Sequence, residues 1–171
     1  MSFFFQNIWL VMLTTPSARG TALNFLARRL PRLNADEGEF SYDYSVMIIQ
    51  AETKLSADIS NVVGKDIGLM IRAFAAALED ENLLVRRGAL DVLLQTMRVD
   101  SFAIHKAQRY DRAILMRAAT GVVLRRDLSL NRRLYTWLLG PDEKSDNQIA
   151  YLKENALEFL SSTLKVSLKS Y

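Results

Sequence analysis

The chain contains no cysteine among its 171 residues. That excludes a disulfide framework, thiolate metal centres and cysteine nucleophiles, and it fits a cytosolic setting. Histidine is nearly as scarce. His105 stands alone, which removes any multi-histidine metal site and leaves a single imidazole for acid–base work. Proline occurs 3 times and glycine 7 times, too seldom for a low-complexity or loop-dominated chain. No apolar run reaches the roughly 20 residues of a spanning helix. The most hydrophobic segment, MSFFFQNIWLVML at 1–13, is interrupted by Gln6 and Asn7. It lacks the basic start and small-residue cleavage site of a signal peptide. The expectation is a buried helix, apolar enough to suggest that the chain begins inside a larger protein whose preceding element covers it. No stretch alternates long enough to argue for a sheet.

What remains is an ordinary globular composition, half hydrophobic and about a quarter charged, long enough for one domain with a core. The formal net charge is +3, from 22 basic and 19 acidic residues. An excess that small points to nucleic acid or membrane only if the arginines cluster.

Helical periodicity predicts 7 segments. The first covers 3–14, with Phe4, Ile8, Val11 and Met12 at helical spacing. Thr15 and Pro16 open the second, Thr15 as a cap and Pro16 in the first turn, and it stops before Pro31. Residues 34–63, with Asp36, Glu37, Glu39 and Asp43, read as an acidic loop or insertion, with an equivocal helix over 44–60. Tyr42 and Tyr44 in that segment suit partner contact, being amphipathic aromatics. Beyond Gly64 the pattern is clean: KDIGLMIRAFAAALED is one helix and NLLVRRGALDVLLQTM the next. The short turn at 79–82 packs them antiparallel. A second such pair occupies 111–126 and 129–140, with Ser129 as the cap and Gly140-Pro141 as the stop. The last helix spans 147–168, with Ile149, Leu152, Ala156, Phe159, Leu160 and Thr163 on one stripe.

The pairs are related to one another. An offset of 46 places Val85-Arg86-Arg87 over Asn131-Arg132-Arg133, and an offset of 67 places Arg19, Leu23 and Leu26 over Arg86, Leu90 and Leu93. A helix-pair period of about 40–47 residues belongs to HEAT or armadillo arrays, in which stacked neighbours bury a continuous core. The predicted fold is therefore all-α, a HEAT/armadillo-like α-solenoid fragment forming a single domain over 1–171.

Arg19, Arg86 and Arg132 fall at equivalent positions on apolar stripes, where an unpaired charge is costly. Asp80 and Asp127, in the inter-helix turns, are the carboxylates within reach. An inter-repeat Asp–Arg ladder is favoured over the competing reading, a ligand contact. Loss of Arg86 or Arg132 is then expected to lower stability more than loss of Arg87. Arg87 is expected to face water one turn from Asp91. With Arg28, Arg29, Arg125, Arg126 and Arg133 it would form a basic strip for anionic head groups or an acidic partner, weighed against a solvated helical face. Trp9 and Trp137 read as core. His105 reads as a surface or structural residue. Gly64, Gly68 and Gly88 form no phosphate loop, and the acidic run has no calcium-loop order.

The run GKDIGLMIRAFAAALEDENLLVRRGALDVLLQTM (64–97), VVLRRDLSLNRRLYTWLLGP (122–141) and TPSARGTALNFLARRLPRL (15–33) resemble the N-terminal domain of the Dopey family. The resemblance covers about half the chain in order. It implies a cytosolic helical-repeat scaffold peripherally attached to Golgi and endosomal membranes. It implies work alongside a large relative of the Arf exchange factors and an aminophospholipid flippase, in traffic between endosomes and Golgi. It implies no enzymatic activity and no cofactor, and the chain would be a piece of a larger N-terminal domain. Two other classes compete: a hydrolase built on His105 with a Ser and an Asp, and a basic helical array binding anionic lipid or nucleic acid directly.

Overall fold

Asp66, Asn82 and Asp127 each start a helix. Their side chains accept hydrogen bonds from the backbone N–H groups of Gly68, Leu84 and Leu130 at 2.9 Å, satisfying donors that the first turn leaves unpaired. The computed structural model describes residues 2–31, 33, 61–64 and 66–169. The helices are α1 (Ser2–Thr14), α2 (Arg19–Arg29), α3 (Ile67–Leu78), α4 (Leu83–Thr96), α5 (Phe102–Lys106), α6 (Arg109–Gly121), α7 (Leu128–Leu139), α8 (Ser145–Asn155) and α9 (Leu157–Lys169). Short 3-10 turns, Pro16–Ala18 and Val122–Arg125, lead into α2 and α7. Among the described residues there is no strand, and the all-α expectation holds.

The helices form two layers. α1, α3, α6 and α9 pack side by side in one, and α2, α4, α7 and α8 in the other. Successive pairs α1/α2 and α3/α4 contribute one helix to each layer, as in a helical-repeat stack. The last pair reverses the order: α8 continues the layer of α7, and α9 crosses to α6. Only residues 140–144 separate α7 from α8, so α8 folds back directly onto its predecessor.

One hydrophobic core runs through the stack, from Trp9 and Met12 through Phe74, Leu90 and Leu93 to Leu134 and Trp137. Both buried indoles find a carbonyl: Trp9 Nε1 donates to Val62 O at 3.0 Å and Trp137 Nε1 to Met97 O at 3.1 Å. This meets the need of a buried Trp N–H for a partner. Gly140, with φ of 84°, closes α7 in a backbone conformation that side chains avoid. It also leaves room for the Tyr151 ring, 2.8 Å from where a Cβ would stand.

Several local expectations are corrected. The inward face of α1 is Trp9 and Met12, flanked by Phe5 and Ile8, while Phe4 and Val11 are exposed; the large indole sets the rotation of the helix. α7 begins at Leu128, capped by Asp127; Ser129 instead donates its hydroxyl to Asp127 Oδ1 at 2.6 Å. Thr15 makes no side-chain cap, although Pro16 does occupy the first turn. The single helix expected over 147–168 is two, broken at the buried Ala156. The break lets Tyr151 and Leu152 pack on the α7 layer and Phe159 and Leu160 turn toward α6. Ile149, expected inside, is exposed. Most of the acidic segment, 34–60, lies outside the described residues, and with it the helix expected over 44–60 and Tyr42 and Tyr44. Residues 61–63, included in that loop, are helical, with Val62 and Val63 buried.

Candidate functional site

Arg19 starts α2 and reaches back across the stack. Its Nε donates to Met12 O at 2.7 Å and its Nη1 to Asp80 Oδ2 at 2.7 Å. Both side chains are nearly buried, 12% and 10% exposed, so the pair sits where loss of one partner strands the other. Burial pushes the Asp80 carboxyl up, but the Asn82 N–H and the Arg19 guanidinium outweigh it and hold the group below the usual carboxylate range. Arg86 is buried as expected, yet its Nη1 donates to the main-chain carbonyls of Asp80 and Glu81. It ties down the α3–α4 turn of its own repeat. Its expected carboxylate partner, Asp80, is already held by Arg19.

Between α4 and α7 the roles differ from those read in the sequence. Arg133 Nε donates to Asp91 Oδ1 at 2.6 Å, and Arg87 Nη2 to Asp127 Oδ2 at 3.3 Å. Arg132 is exposed and has no ion pair among the described residues. Arg133, expected to be the free neighbour, is therefore the cross-repeat member, and Arg132 is the free one. Arg87 pairs across the repeat rather than with Asp91 along its own helix.

The cause is a one-residue slip in register. The capping residues Asn82 and Asp127 are 45 apart, not 46. At that spacing Val85, Ala89, Val92 and Leu93 fall over Leu130, Leu134, Trp137 and Leu138, all buried. One residue is about 100° of helical rotation, enough to move an arginine from seam to surface. The offset of 67 holds, since Leu23, Leu26 and Leu30 fall over Leu90, Leu93 and Met97, also all buried.

The other layer carries a charge cluster that sequence reading missed. Arg72 on α3 donates to Asp111 on α6 at 2.7 Å and to Asp66 at 2.8 Å. Asp111 is buried. The only signal in the sequence is Gly68, one turn before Arg72. A Cβ there would stand 2.2 Å from Asp111 Oδ2, so the absence of a side chain is what lets α6 come close.

The other arginines of the expected strip are exposed. Arg28 and Arg29 end α2, where cations complement the helix dipole. Arg125 and Arg126 occupy the α6–α7 turn. The continuous strip expected from Arg28, Arg29, Arg87, Arg125, Arg126 and Arg133 is interrupted, because Arg87 and Arg133 are held by Asp127 and Asp91. Trp9 and Trp137 are core residues, and His105 is exposed on α5. Among the described residues no group of three acidic or histidine side chains could hold a metal ion. A shallow cavity of about 330 Å³ lies between the starts of α2 and α4, lined by Pro16, Ser17, Gly20, Asp80, Glu81, Asn82 and Val85.

This surface of turns and paired charges has relatives. The family described as Dopey, N-terminal, matches residues 1–143. Protein dop1 of Emericella nidulans is 38% identical over 145 residues, 84% of this chain and 8% of that protein. Protein DOP1 of Saccharomyces cerevisiae is 32% identical over 161 residues, covering 82% of this chain and 10% of its own length. Protein DOP1B of Mus musculus is 33% identical over 149 residues, 84% of this chain and 6% of its own. The chain thus spans no more than 10% of the length of these relatives. No solved structure matches it. With its repeat helices carrying the segments on which the resemblance rests, the chain belongs to the Dopey family, aligned with the family's N-terminal region.

Proposed function

We propose that the chain is a non-enzymatic scaffold segment in membrane traffic between endosomes and Golgi, binding protein partners on the cytosolic face. The partners in this reading are a large relative of the Arf exchange factors and an aminophospholipid flippase. Family membership carries the proposal, because the family is one of trafficking proteins and the match runs through 143 residues. The physical character of the molecule supports it. The interior is apolar, and Arg19, Arg72, Arg87 and Arg133 are engaged in joining helices. A helical stack of this kind offers its turns and outer helical faces as contact surface. Attachment to Golgi and endosomal membranes is peripheral in this reading; no described helix is long and apolar enough to cross a bilayer.

The test is capture of each candidate partner by the immobilised chain, with a chain lacking residues 34–60 in parallel, which spares the buried Val62 and Val63. Retention of at least one partner by the parent is the expected result. Failure of both chains to retain either partner would remove the proposal, and retention by the shortened chain alone would assign the acidic segment an opposing role.

A further inference from the structure

The α6–α7 turn carries the most exposed leucines of its region. Leu124 is 82% exposed and Leu128 86%, on either side of the exposed Arg125 and Arg126. Leu128 also begins an outward stripe on α7 that continues one turn on with Arg132 and then Tyr135, which is half exposed. The opposite face of the same helix is the buried one, with Leu130, Leu134, Trp137 and Leu138. The apolar side chains of the turn and stripe are therefore not needed by the core. None of Arg125, Arg126 and Arg132 has an ion pair among the described residues, while the carboxylates of Asp127 and Asp91 are already held by Arg87 and Arg133.

We infer that this turn and the outer stripe of α7 seat on a bilayer surface containing anionic lipid. Leucines enter the acyl boundary, arginines meet the phosphates, and a tyrosine lies at head-group level; that combination suits the interface between hydrocarbon and water. A protein groove would suit a buried apolar ridge, whereas here two leucines project from a turn between unpaired guanidinium groups. The preceding turn of the stack carries the exposed Glu79 and Glu81 beside Leu84. Those acids repel an anionic surface, so contact is confined to the one basic turn. The inference requires none of the protein partners proposed above.

The chain has no cysteine, so a polarity-sensitive dye can be attached at Leu128→Cys alone, with Leu84→Cys as the comparison. Vesicles of phosphatidylcholine with about one third phosphatidylserine are the probe, and pure phosphatidylcholine the control. The dye at position 128 is expected to shift to the blue on the anionic vesicles only, and the dye at 84 to stay unshifted. In co-sedimentation, Arg125→Gln with Arg126→Gln should weaken binding about 25-fold, at about fivefold per arginine. Leu124→Ala with Leu128→Ala should weaken it about tenfold. Melting temperature should stay at the parental value in both, since all four side chains face water.

No binding by the parent would overturn the inference. So would unchanged binding of the leucine pair, which would mean diffuse charge attraction alone, or equal dye shifts at 84 and 128. Should a variant lose its fold, the labelled parent chains still decide the matter.

Discussion

A methyl group at position 68 would meet Asp111 Oδ2 at 2.2 Å and Arg72 Nη1 at 2.7 Å. The Arg72–Asp111 pair would have to open or α3 and α6 would have to separate. Gly68→Ala is therefore expected to destabilise by about 1–3 kcal/mol, despite the better helix propensity of alanine, and urea denaturation measures it. A neutral or stabilising result would mean that the two helices are not in close contact there. Single residues were the least legible part of the sequence. Trp9 and Trp137 could be assigned to the core from their size and neighbours, and they are there. Which carboxylate would meet Arg72 could not be read, because Asp111 is 39 residues away and the pair exists only once two helices stack.

At the level of the helix, the starts matter most. The Asp127 carboxyl is held down at about 2, below the ordinary 3.8, by the Ser129 hydroxyl, the Leu130 N–H and the Arg87 guanidinium. A folded value below the unfolded one means that the unfolded chain binds more protons in between. The stabilisation is thus complete above the ordinary carboxylate range and is lost as the pH falls toward about 2. Asp127→Asn keeps an oxygen that can cap α7 but cannot titrate. Its deficit in urea midpoint relative to the parent is expected to be full near neutrality and to close on acidification through that window. A deficit constant over the same range would contradict the assignment. Helix existence was largely readable from the 3.6-residue period, but phase was not. Asp127 and Ser129 both make good caps, and the two Arg-Arg pairs invited alignment on themselves. The caps and the buried residues instead align one position earlier, which puts Asn131 over Arg86 and Arg132 over Arg87, so Arg132 is not the counterpart of the buried Arg86. The break at Ala156 left no proline or glycine to announce it, since it arises from two neighbours in different layers.

As a whole, the chain is two layers of helices whose pairs hold only their immediate neighbours, so its stability is a sum of local seams. The period of the repeat and the all-α class were legible because each helix pair must bury the same face. The reversed order of α8 and α9 was not, since it is settled by which layer a short connection reaches. The sorting of the arginines follows from the stack. Arg19, Arg72 and Arg133 join helices, Arg86 fastens a turn, and Arg28, Arg29, Arg125, Arg126 and Arg132 face water. Alanine substitution at each of these nine positions, read by melting temperature, tests that account directly. Arg19→Ala, Arg72→Ala and Arg86→Ala should give the largest losses, about 2–3 kcal/mol each. Arg133→Ala, whose pair is partly exposed, should cost about 0.5–1 kcal/mol. The five outward arginines should stay within about 0.5 kcal/mol of the parent. A loss at Arg132 that equals or exceeds the loss at Arg133 would place the α4–α7 seam in the other register and contradict the account.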